Sequence, residues 1–288
     1  MPGLLEGKVA IITGAGGGLG REYALLFAKE GARVVVNDYG GAADGKGAGS
    51  PAAQKVVDEI VASGGQAVAN GADVGSVEAG ATLLKSALDA FGRVDILVNN
   101  AGILRDKSFV KTEEEDWDAV LRVHLKGTYA VTRPVFTWMK DNGQGGVIVN
   151  TSSASGLIGN FGQSNYGAAK AGIWGLSNVL AIEGAKFGIR VWTLAPTATT
   201  RLTEGLLPDS VKEKWRPHRL APAVLYMVSD ASKPLTGRTL SVSGSKIQEL
   251  RLVAGPGYWP GDETPTVDDI VANFDKIFLP PTDPIGFE

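Results

Sequence analysis

The stretch Val9–Gly20 reads VAIITGAGGGLG, an apolar run that ends in a cluster of glycines. A glycine turn between a strand and a helix lets the backbone approach a pyrophosphate, which the free N–H groups of the helix N-terminus then bind. The spacing departs from G-x-G-x-x-G because Leu19 stands where the last glycine should be. It fits T-G-x-x-x-G-x-G through Gly14, Gly18 and Gly20. By itself the motif also fits a tight turn with no ligand.

The rest of the chain alternates between short apolar runs and longer segments of helical period. The runs are Val9–Thr13, Val34–Asn37, Ala67–Ala69, Ile96–Val98, Val147–Asn150 and Val191–Leu194. The helical segments are Arg21–Glu30, Ala52–Ala62, Ala81–Phe91, Trp117–Met139 and Ala168–Lys186. Continuous apolar strands separated by helices indicate a parallel sheet covered on both faces, whereas an antiparallel α+β fold would alternate apolar and polar positions. We therefore predict one doubly wound α/β domain of the Rossmann type over residues 1–250.

Two stretches interrupt this alternation. Gly40–Ser50 is a glycine-rich insertion after the second run, without an apolar anchor. Residues 251–288 carry six of the fourteen prolines and a helical pattern, Val267–Phe278. In that pattern the apolar residues share one helix face, at Ile270, Phe274, Ile277 and Phe278. We expect a C-terminal extension that packs either on the domain or on a partner subunit.

Composition excludes several classes of protein. The 288 residues include no cysteine and only two histidines, so we expect no metal site. The net charge of −3 argues against a nucleic-acid partner, which would require a basic surface. No apolar run approaches the ~20 residues of a membrane span, and the N-terminus lacks the pattern of a secretory signal. We expect a cytoplasmic enzyme without a membrane partner.

Carboxylates and amides follow the predicted strands at the edge where open α/β folds bind ligands. Asp38 ends the second run and could accept hydrogen bonds from ribose hydroxyls while repelling a 2′-phosphate, which favours NAD over NADP. Asn100 lies in the sequence NNAG after the fourth run, and Asp73 and Val74 follow the third, where they could border an adenine. Each of these positions also fits an ordinary turn.

A serine, a tyrosine and a lysine form the most informative constellation. Tyr166 and Lys170 lie four residues apart and therefore on one face of a helix, downstream of Ser153. A phenol has a pKa of about 10, too high for a base at neutral pH. A neighbouring ammonium and a cationic nicotinamide ring would lower that pKa, so Tyr166 could exchange a proton with a substrate oxygen held by Ser153. A buried tyrosine beside a solvated lysine is the structural alternative.

These features together resemble the short-chain dehydrogenase/reductase family. The resemblance extends from about Lys8 to Ser245, and its motifs are Thr13–Gly20, Asn99–Gly102, and Ser153 thirteen residues before Tyr166-x-x-x-Lys170. It implies a nicotinamide cofactor, Tyr166 as acid/base, Lys170 on the nicotinamide ribose and Ser153 on the substrate oxygen. The expected cofactor-binding residues are Gly14, Gly18, Leu19, Gly20, Asp38, Asp73, Val74, Asn100, Tyr166, Lys170, Pro196 and Thr199.

A narrower resemblance lies within the family. The matching stretches are Val36–Gly41, Asn100–Asp106, Arg122–Leu125, Thr151–Gly156 with Gly159–Gln163, and Ala181–Gly184. They are similar to the (3R)-hydroxyacyl-CoA dehydrogenase units of peroxisomal multifunctional enzymes of type 2. This implies NAD-dependent interconversion of (3R)-3-hydroxyacyl-CoA and 3-ketoacyl-CoA, here by a free-standing unit.

Other functions stay open at this point. A 17β-type hydroxysteroid dehydrogenase is the alternative enzyme, since such subgroups can act on both substrate classes. A non-catalytic NAD-binding protein is the alternative from another class, opposed by the complete set of Ser153, Tyr166 and Lys170. A reductase acting on acyl carrier protein is disfavoured, because Asp38 opposes NADPH. The amphipathic segment Leu202–Pro222, with Leu206, Leu207, Val211 and Trp215, would suit the lid over an acyl chain or a steroid.

Three departures from the family pattern bear on the site and on assembly. His124 stands where many members have an asparagine in a proton relay, so it is either a relay group or a packed helix residue. Pro196 is followed by threonine where relatives have glycine, and Thr199 could still meet the nicotinamide carboxamide. Beyond Ser243 and Gly244 the short ending usual in the family is replaced by the long extension, which could cover the surface that relatives use to form tetramers. The helix Ala168–Lys186 carries the small residues Ala171, Gly172 and Gly175 and corresponds to the helix that pairs with its symmetry mate in relatives. The resemblance therefore implies a homodimer, or a tetramer if the extension leaves that surface free.

Overall fold

A computed structural model of the protein describes residues 3–49, 51–200 and 212–279. In these ranges one eight-stranded sheet has the order β3-β2-β1-β4-β5-β6-β7-β8. The strands are β1 Val9–Thr13, β2 Arg33–Asn37, β3 Gln66–Asn70, β4 Ile96–Asn99, β5 Gly146–Thr151, β6 Ile189–Thr197, β7 Arg238–Ser243 and β8 Lys246–Leu250. The doubly wound α/β fold is therefore confirmed.

The first seven strands are paired in parallel. In the centre of the sheet, Ala10 pairs with Ile96 and with Val34. The residues of β1 are all buried, because helices cover both faces of the sheet. The strand order reverses between β1 and β4, so a crevice opens at their carboxyl ends. Every site residue expected after a strand lies at this edge.

Ten helices flank or follow the sheet in the described part of the chain. They are α1 Gly18–Lys29, α2 Ala52–Ala62, α3 Val77–Phe91, α4 Glu114–Leu121, α5 Gly127–Asp141, α6 Ser155–Ile158, α7 Ser164–Ala185, α8 Ala221–Val228, α9 Val267–Ala272 and α10 Phe274–Ile277. Tyr23 and Phe27 of α1 pack with Val224 of α8 in the core on one face. Leu83 of α3 and Val135 of α5 belong to the core on the other. No helix of the described residues is both long and apolar enough to cross a membrane.

The expectation of one continuous helix over Trp117–Met139 is wrong in one respect. A π-helical turn, Arg122–Lys126, separates α4 from α5. Such a turn adds a residue to the helical repeat and is frequent at functional sites. It turns the buried His124 toward the carboxyl edge of the sheet, where Ile103 follows β4.

Two strands lie beyond the last apolar run that the sequence analysis identified. β7 and β8 are neighbours at the edge of the sheet, joined by Gly244 and Ser245. Few of their residues are buried, so neither carries the continuous apolar run that marks a central strand. Of the two, β8 is the edge strand, and edge strands often carry charged side chains.

The chain divides into two compact units, Met1–Glu249 and Leu250–Glu288. In the second unit, α9 begins with a capping box in which Thr266 and Asp269 exchange hydrogen bonds. Asn273 leaves the helical conformation, with φ −113°, and separates α9 from α10. The expectation of one helix over Val267–Phe278 is therefore wrong, because this break rotates Ile270 relative to Phe274 and Phe278. The two phenylalanine rings do pack together, with centroids 4.6 Å apart.

Candidate active site

The glycine turn between β1 and α1 forms a close-packed cradle. Gly14 and Gly18 have positive φ angles of 62° and 54°, a conformation that favours glycine. A Cβ on Gly20 would overlap the carbonyl oxygen of Gly14 and lie 2.7 Å from Asn100 Nδ2. Gly17, at the N-cap of α1, has no side chain with which to cap the first N–H groups of the helix. This cradle fits the pyrophosphate of a dinucleotide.

Asn100 braces the cradle from β4. Its side-chain amide donates to the carbonyl oxygens of Thr13, at 3.0 Å, and Gly14, at 3.1 Å. The backbone N–H of Asn100 donates to the Thr13 hydroxyl at 3.0 Å. The residue expected to bind the cofactor therefore also holds the ends of β1 and β4 together.

Asp38 and Asp73 occupy the ends of β2 and β3 and have different partners. Asp38 accepts hydrogen bonds from the backbone N–H groups of Gly16, at 2.9 Å, and Gly40, at 2.8 Å. It thus joins the glycine turn to the insertion that follows β2. Asp73 accepts from the N–H of Gly75 at 2.9 Å and forms an ion pair with Arg122 at 2.6 Å.

The glycine-rich insertion is anchored, against expectation. Ala43 O accepts a hydrogen bond from Leu104 N at 3.1 Å, and Asp44 O accepts one from Arg105 Nε at 2.9 Å. A Cβ on Gly45 would lie 3.0 Å from the side chain of Ile103. The insertion therefore packs on the segment after β4 through its own backbone groups. Backbone contacts leave no pattern of apolar residues in the sequence.

Ser153, Tyr166 and Lys170 come together at the carboxyl end of β5. Lys170 is only 3% exposed, and its ammonium donates to Thr151 O at 2.6 Å. The same Nζ lies 5.4 Å from the centroid of the Tyr166 ring. Ser152 fixes the helix behind them, since its hydroxyl donates to Lys170 O at 2.7 Å. The α7 helix thus presents phenol and ammonium on one face, as their spacing predicted.

Burial determines the ionisation of this cluster. It raises the pKa of Tyr166 to about 12, although hydrogen bonding with Ser153 acts in the opposite direction. It lowers the pKa of Lys170 to about 7. The expected lowering of the phenol pKa involves the nicotinamide ring and stays a prediction; in the protein by itself the pKa is raised, because loss of hydration outweighs the hydrogen bond with Ser153.

His124 is packed edge-to-face against Tyr166, with ring centroids 5.2 Å apart. Its Nε2 lies 2.8 Å from Ile103 O and 3.1 Å from Ile103 N, and its Nδ1 makes no hydrogen bond in the described structure. Burial and the charge of Lys170 lower its pKa to about 3, so the imidazole is neutral. A Cβ on Gly102 would overlap this ring. The geometry favours the packing role over a relay.

The end of β6 closes the crevice from the far side. Pro196 pairs in register with Val242 of β7. Thr199 donates its N–H to Trp215 O at 2.7 Å and its hydroxyl to Lys212 O at 3.0 Å. A Cβ on Gly18 would lie 3.6 Å from Thr200, so this strand end meets the glycine turn. Leu206, Leu207 and Val211 of the expected lid lie outside the described residues, whereas Trp215 is buried.

Two residues near the site were named only as parts of a resemblance and had no role assigned. Asp106 Oδ2 accepts a hydrogen bond from Gln163 Nε2 at 2.7 Å, and Gln163 Oε1 accepts from the Ser155 hydroxyl at 2.8 Å. The pair connects the segment after β4 with the start of α7. Both lie in stretches quoted for the narrower resemblance, Asn100–Asp106 and Gly159–Gln163, which was the available signal.

A parallel α/β crevice with a dinucleotide cradle and a Ser-Tyr-Lys cluster defines a Rossmann-type oxidoreductase. A comparison with known protein families agrees with this class: the family model described as short chain dehydrogenase matches residues 8–209. The chain belongs to the short-chain dehydrogenase family and is an oxidoreductase acting on CH–OH groups. The family resemblance stated from the sequence is confirmed.

Individual relatives add detail. The chain is 51% identical over 252 residues to the peroxisomal multifunctional enzyme type 2 of Drosophila melanogaster, covering 88% of this chain and 41% of that protein. It is 37% identical over 296 aligned residues to a hydroxyacyl-CoA dehydrogenase of Mycobacterium tuberculosis, with 94% and 90% covered.

Two solved structures have the same fold. A short chain dehydrogenase from Mycobacterium avium superposes with a TM-score of 0.85 at 42% identity, covering 96% of this chain and 98% of that one. A 7α-hydroxysteroid dehydrogenase, complexed with NADH and 7-oxo glycochenodeoxycholic acid, has a TM-score of 0.74 at 35% identity, covering 86% and 97%. A nicotinamide cofactor follows from family membership and from this second structure.

Proposed function

We propose that this protein is an NAD-dependent dehydrogenase that interconverts (3R)-3-hydroxyacyl-CoA and 3-ketoacyl-CoA. The observation that carries the proposal is the gathering of Ser153, Tyr166 and buried Lys170 beside the glycine cradle. The substrate class is supported by the relatives, one of which is named a hydroxyacyl-CoA dehydrogenase.

In the oxidation direction, Tyr166 removes the proton of the substrate hydroxyl. The Ser153 hydroxyl donates to the substrate oxygen and holds it at the phenol. Lys170 stabilises the phenolate that accepts this proton and is positioned to bind the nicotinamide ribose. When bound, the dinucleotide supplies the hydride-accepting carbon. In reduction the same phenol returns its proton to the oxygen.

The residues present fit a dinucleotide. The cradle is shaped by glycines whose Cβ atoms would collide with backbone, at Gly14 and Gly20. Asp38 already accepts two hydrogen bonds from backbone N–H groups, and a carboxylate has room for more acceptor contacts. We propose that Asp38 accepts hydrogen bonds from the adenosine ribose hydroxyls. A 2′-phosphate at that position would remove these bonds and repel the carboxylate. NAD is therefore the proposed cofactor.

Hydroxysteroids are the second candidate substrate, supported by the fold and identity shared with the 7α-hydroxysteroid dehydrogenase. A panel of (3R)- and (3S)-3-hydroxyacyl-CoAs and hydroxysteroids, assayed with NAD and with NADP, separates the two. The proposal requires (3R)-hydroxyacyl-CoA to give the highest kcat/KM. A higher kcat/KM on a steroid would transfer the assignment to the second candidate. Activity on neither class would contradict both.

Replacing the phenol tests the mechanism independently of the substrate class. Tyr166→Phe should lower kcat by about 10²–10⁴-fold or more, the range of general acid–base catalysis. Affinity for NAD, measured by calorimetric titration, should change little because the ring still packs on His124. A variant that turns over normally contradicts Tyr166 as the acid/base.

We also propose where the protein is located and how it assembles. A cytoplasmic location is the expectation from the sequence, while the Drosophila relative is peroxisomal by name. Imaging of the tagged protein in its own cells distinguishes the two. We propose a homodimer formed through one face of α7.

A further inference from the structure

A chain of hydrogen bonds leads from the exposed Asp106 through the buried Gln163 and Ser155 to the catalytic serine. The Gln163 amide donates to Asp106 and accepts from Ser155 Oγ at 2.8 Å and from Asn160 Nδ2 at 3.1 Å. The backbone N–H of Ser155 then donates to Ser153 Oγ at 3.2 Å. Gln163 and Ser155 are each only 8% exposed, so their bonds face little competition from water.

The chemistry of the carboxylate sets the direction of these bonds. An ionised carboxylate only accepts, so Gln163 must present its NH₂ to Asp106 and its carbonyl oxygen to Ser155. The Ser155 hydroxyl is thereby held as a donor. Ser153 Oγ accepts from a backbone N–H, which leaves its own proton free to donate toward the reacting oxygen. The direction of hydrogen bonding that catalysis requires of Ser153 agrees with this chain.

We propose that Asp106 and Gln163 are positioning residues that fix the start of α6, keep the Ser153 hydroxyl as a donor, and place a negative charge beside the Tyr166 phenol. Neither touches the reacting atoms in this account, so both act through Ser153 and Tyr166. The inference rests on the proposed catalytic roles of those two residues.

The groups around the phenol, two of them titrating to a charge, come from four directions. Lys170 approaches from α7 itself, neutral His124 from the π-helical turn, Ser153 from the end of β5, and Asp106 from the segment after β4. The Asp106 charge is one of the causes of the raised pKa of Tyr166. The cations flanking Asp106 in sequence, Arg105 and Lys107, form ion pairs with Asp116.

Asp106→Asn tests the charge with almost no change of shape. The introduced amide can still accept from Gln163 through its oxygen, so the chain of bonds is kept. Loss of the negative charge should move the rise of kcat with pH, in the oxidation direction, by about half to one unit toward acid. Asp89→Asn, which removes an exposed carboxylate from α3, is the matched control and should leave the profile unchanged. An unshifted profile in Asp106→Asn overturns the charge part of the proposal.

Gln163→Glu and the double variant Asp106→Asn/Gln163→Glu test the direction of the bonds. The single change sets two acceptors against each other and, at alkaline pH, should lower kcat about tenfold or more. In the double variant the introduced amide donates to the introduced carboxylate, which again accepts from Ser155. It should recover most of the lost kcat, a coupling that a double-mutant cycle measures. A double variant no better than Gln163→Glu, or a fully active Gln163→Glu, overturns the positioning role.

A second readout does not depend on the substrate. Ultraviolet difference titration of the phenol, taken against the Tyr166→Phe counterpart of each variant, should show the acid shift in Asp106→Asn both with and without NAD. The kinetic arms use whichever alcohol the wild type oxidises best. A failure of the hydroxyacyl-CoA assignment is therefore distinct from a failure of this inference: an unshifted phenol titration overturns the charge part, and an uncoupled cycle overturns the positioning role.

Discussion

Lys170 is a cation held almost entirely out of water. Burial lowers its pKa from 10.5 to about 7, while Thr151 O is its only hydrogen-bond acceptor recorded in the described structure. Between about pH 7 and pH 10.5, Lys170 therefore binds a proton in the unfolded chain that it does not bind in the folded chain. This difference costs the folded state stability, increasingly as the pH falls from 10.5 to about 7, and constantly below that. The protein keeps a destabilising residue at its candidate active site.

Lys170→Met should therefore stabilise the fold while destroying turnover. Replacing a buried charge by an apolar side chain of similar size is worth about 1–3 kcal/mol, less the cost of the unpaired Thr151 carbonyl. Urea unfolding near neutral pH should show the gain, and the gain should shrink toward pH 10.5, the ordinary pKa of the amine. A variant less stable than the wild type at neutral pH contradicts this account of Lys170.

We propose that Asp38 determines the choice of cofactor through one charge. A charge-assisted hydrogen bond from ribose is worth ~1.5–3 kcal/mol, and repulsion of a 2′-phosphate adds to the difference. We expect at least a ten- to hundredfold preference for NAD, at about 1.4 kcal/mol for each factor of ten. Asp38→Ser should reduce that preference, measured as the ratio of kcat/KM with NAD and NADP. An unchanged ratio, or a wild type that prefers NADP, contradicts the role of Asp38.

At the level of whole elements, the first turn of α1 depends on one glycine. The Cβ of an alanine at position 20 would overlap the Gly14 carbonyl, which is backbone and cannot move away cheaply. Gly20→Ala should cost about 1–3 kcal/mol of stability and weaken NAD binding. Gly17→Ala is the matched control, because its Cβ meets nothing within 4 Å and its φ of −171° is extended. Because Gly17 itself lies at the helix end that would hold the pyrophosphate, it controls for stability alone: equal losses of stability in the two variants, by thermal unfolding, would contradict the packing of the cradle.

The sequence predicted those elements whose signal is local. Each apolar run became a parallel strand, since a strand covered on both faces must be continuously apolar. The π-helical turn Arg122–Lys126 could not be predicted. Its one extra residue rotates the following apolar positions by less than the width of the apolar face of the helix. The edge strand β8 lacks that pattern altogether.

The pair Tyr166 and Lys170 and the glycine cradle were predictable because their residues lie close together in the sequence. Tyr166 and Lys170 are separated by one helical turn, and the glycines by a few residues. The pairing of Asp106 with Gln163 joins residues 57 apart. Only the packing of the strand edge against α7 brings them together, so no spacing in the sequence reports the contact.

Across the whole molecule, one outer face of α7 is apolar and exposed. Val179 is 51% and Ile182 79% exposed, and Ala171 and Gly175 continue the same face. A groove of about 870 Å³ near α7 is lined by Ala119, Leu121, Leu125, Tyr129 and Leu176, with the charged side chains of Glu115, Asp118, Arg122 and Lys126 among them. Gly172 takes no part in this face, because a Cβ there would lie 2.9 Å from Leu125 within the same chain. Exposed apolar patches of this kind mark contact surfaces.

We expect two copies to associate through this face of α7. Gly175→Arg should yield a monomer in light scattering at micromolar concentration, since a charge would be buried without a partner. The single chain should remain folded, because a Cβ on Gly175 meets nothing within 4 Å and arginine favours helix. Ala62→Arg, on the exposed side of α2, is the control and should remain a dimer. A monomeric wild type contradicts the expected assembly.

The contact between Gly102 and His124 restricts how this protein can diverge. Any side chain at position 102 would overlap the imidazole, and the imidazole in turn supports the ring of Tyr166. The two positions are therefore epistatic: a larger residue at 102 is tolerated only after His124 has become smaller. Substitutions at these two positions must therefore occur in a fixed order. As long as the enzyme stays active, a lineage that keeps His124 must also keep Gly102.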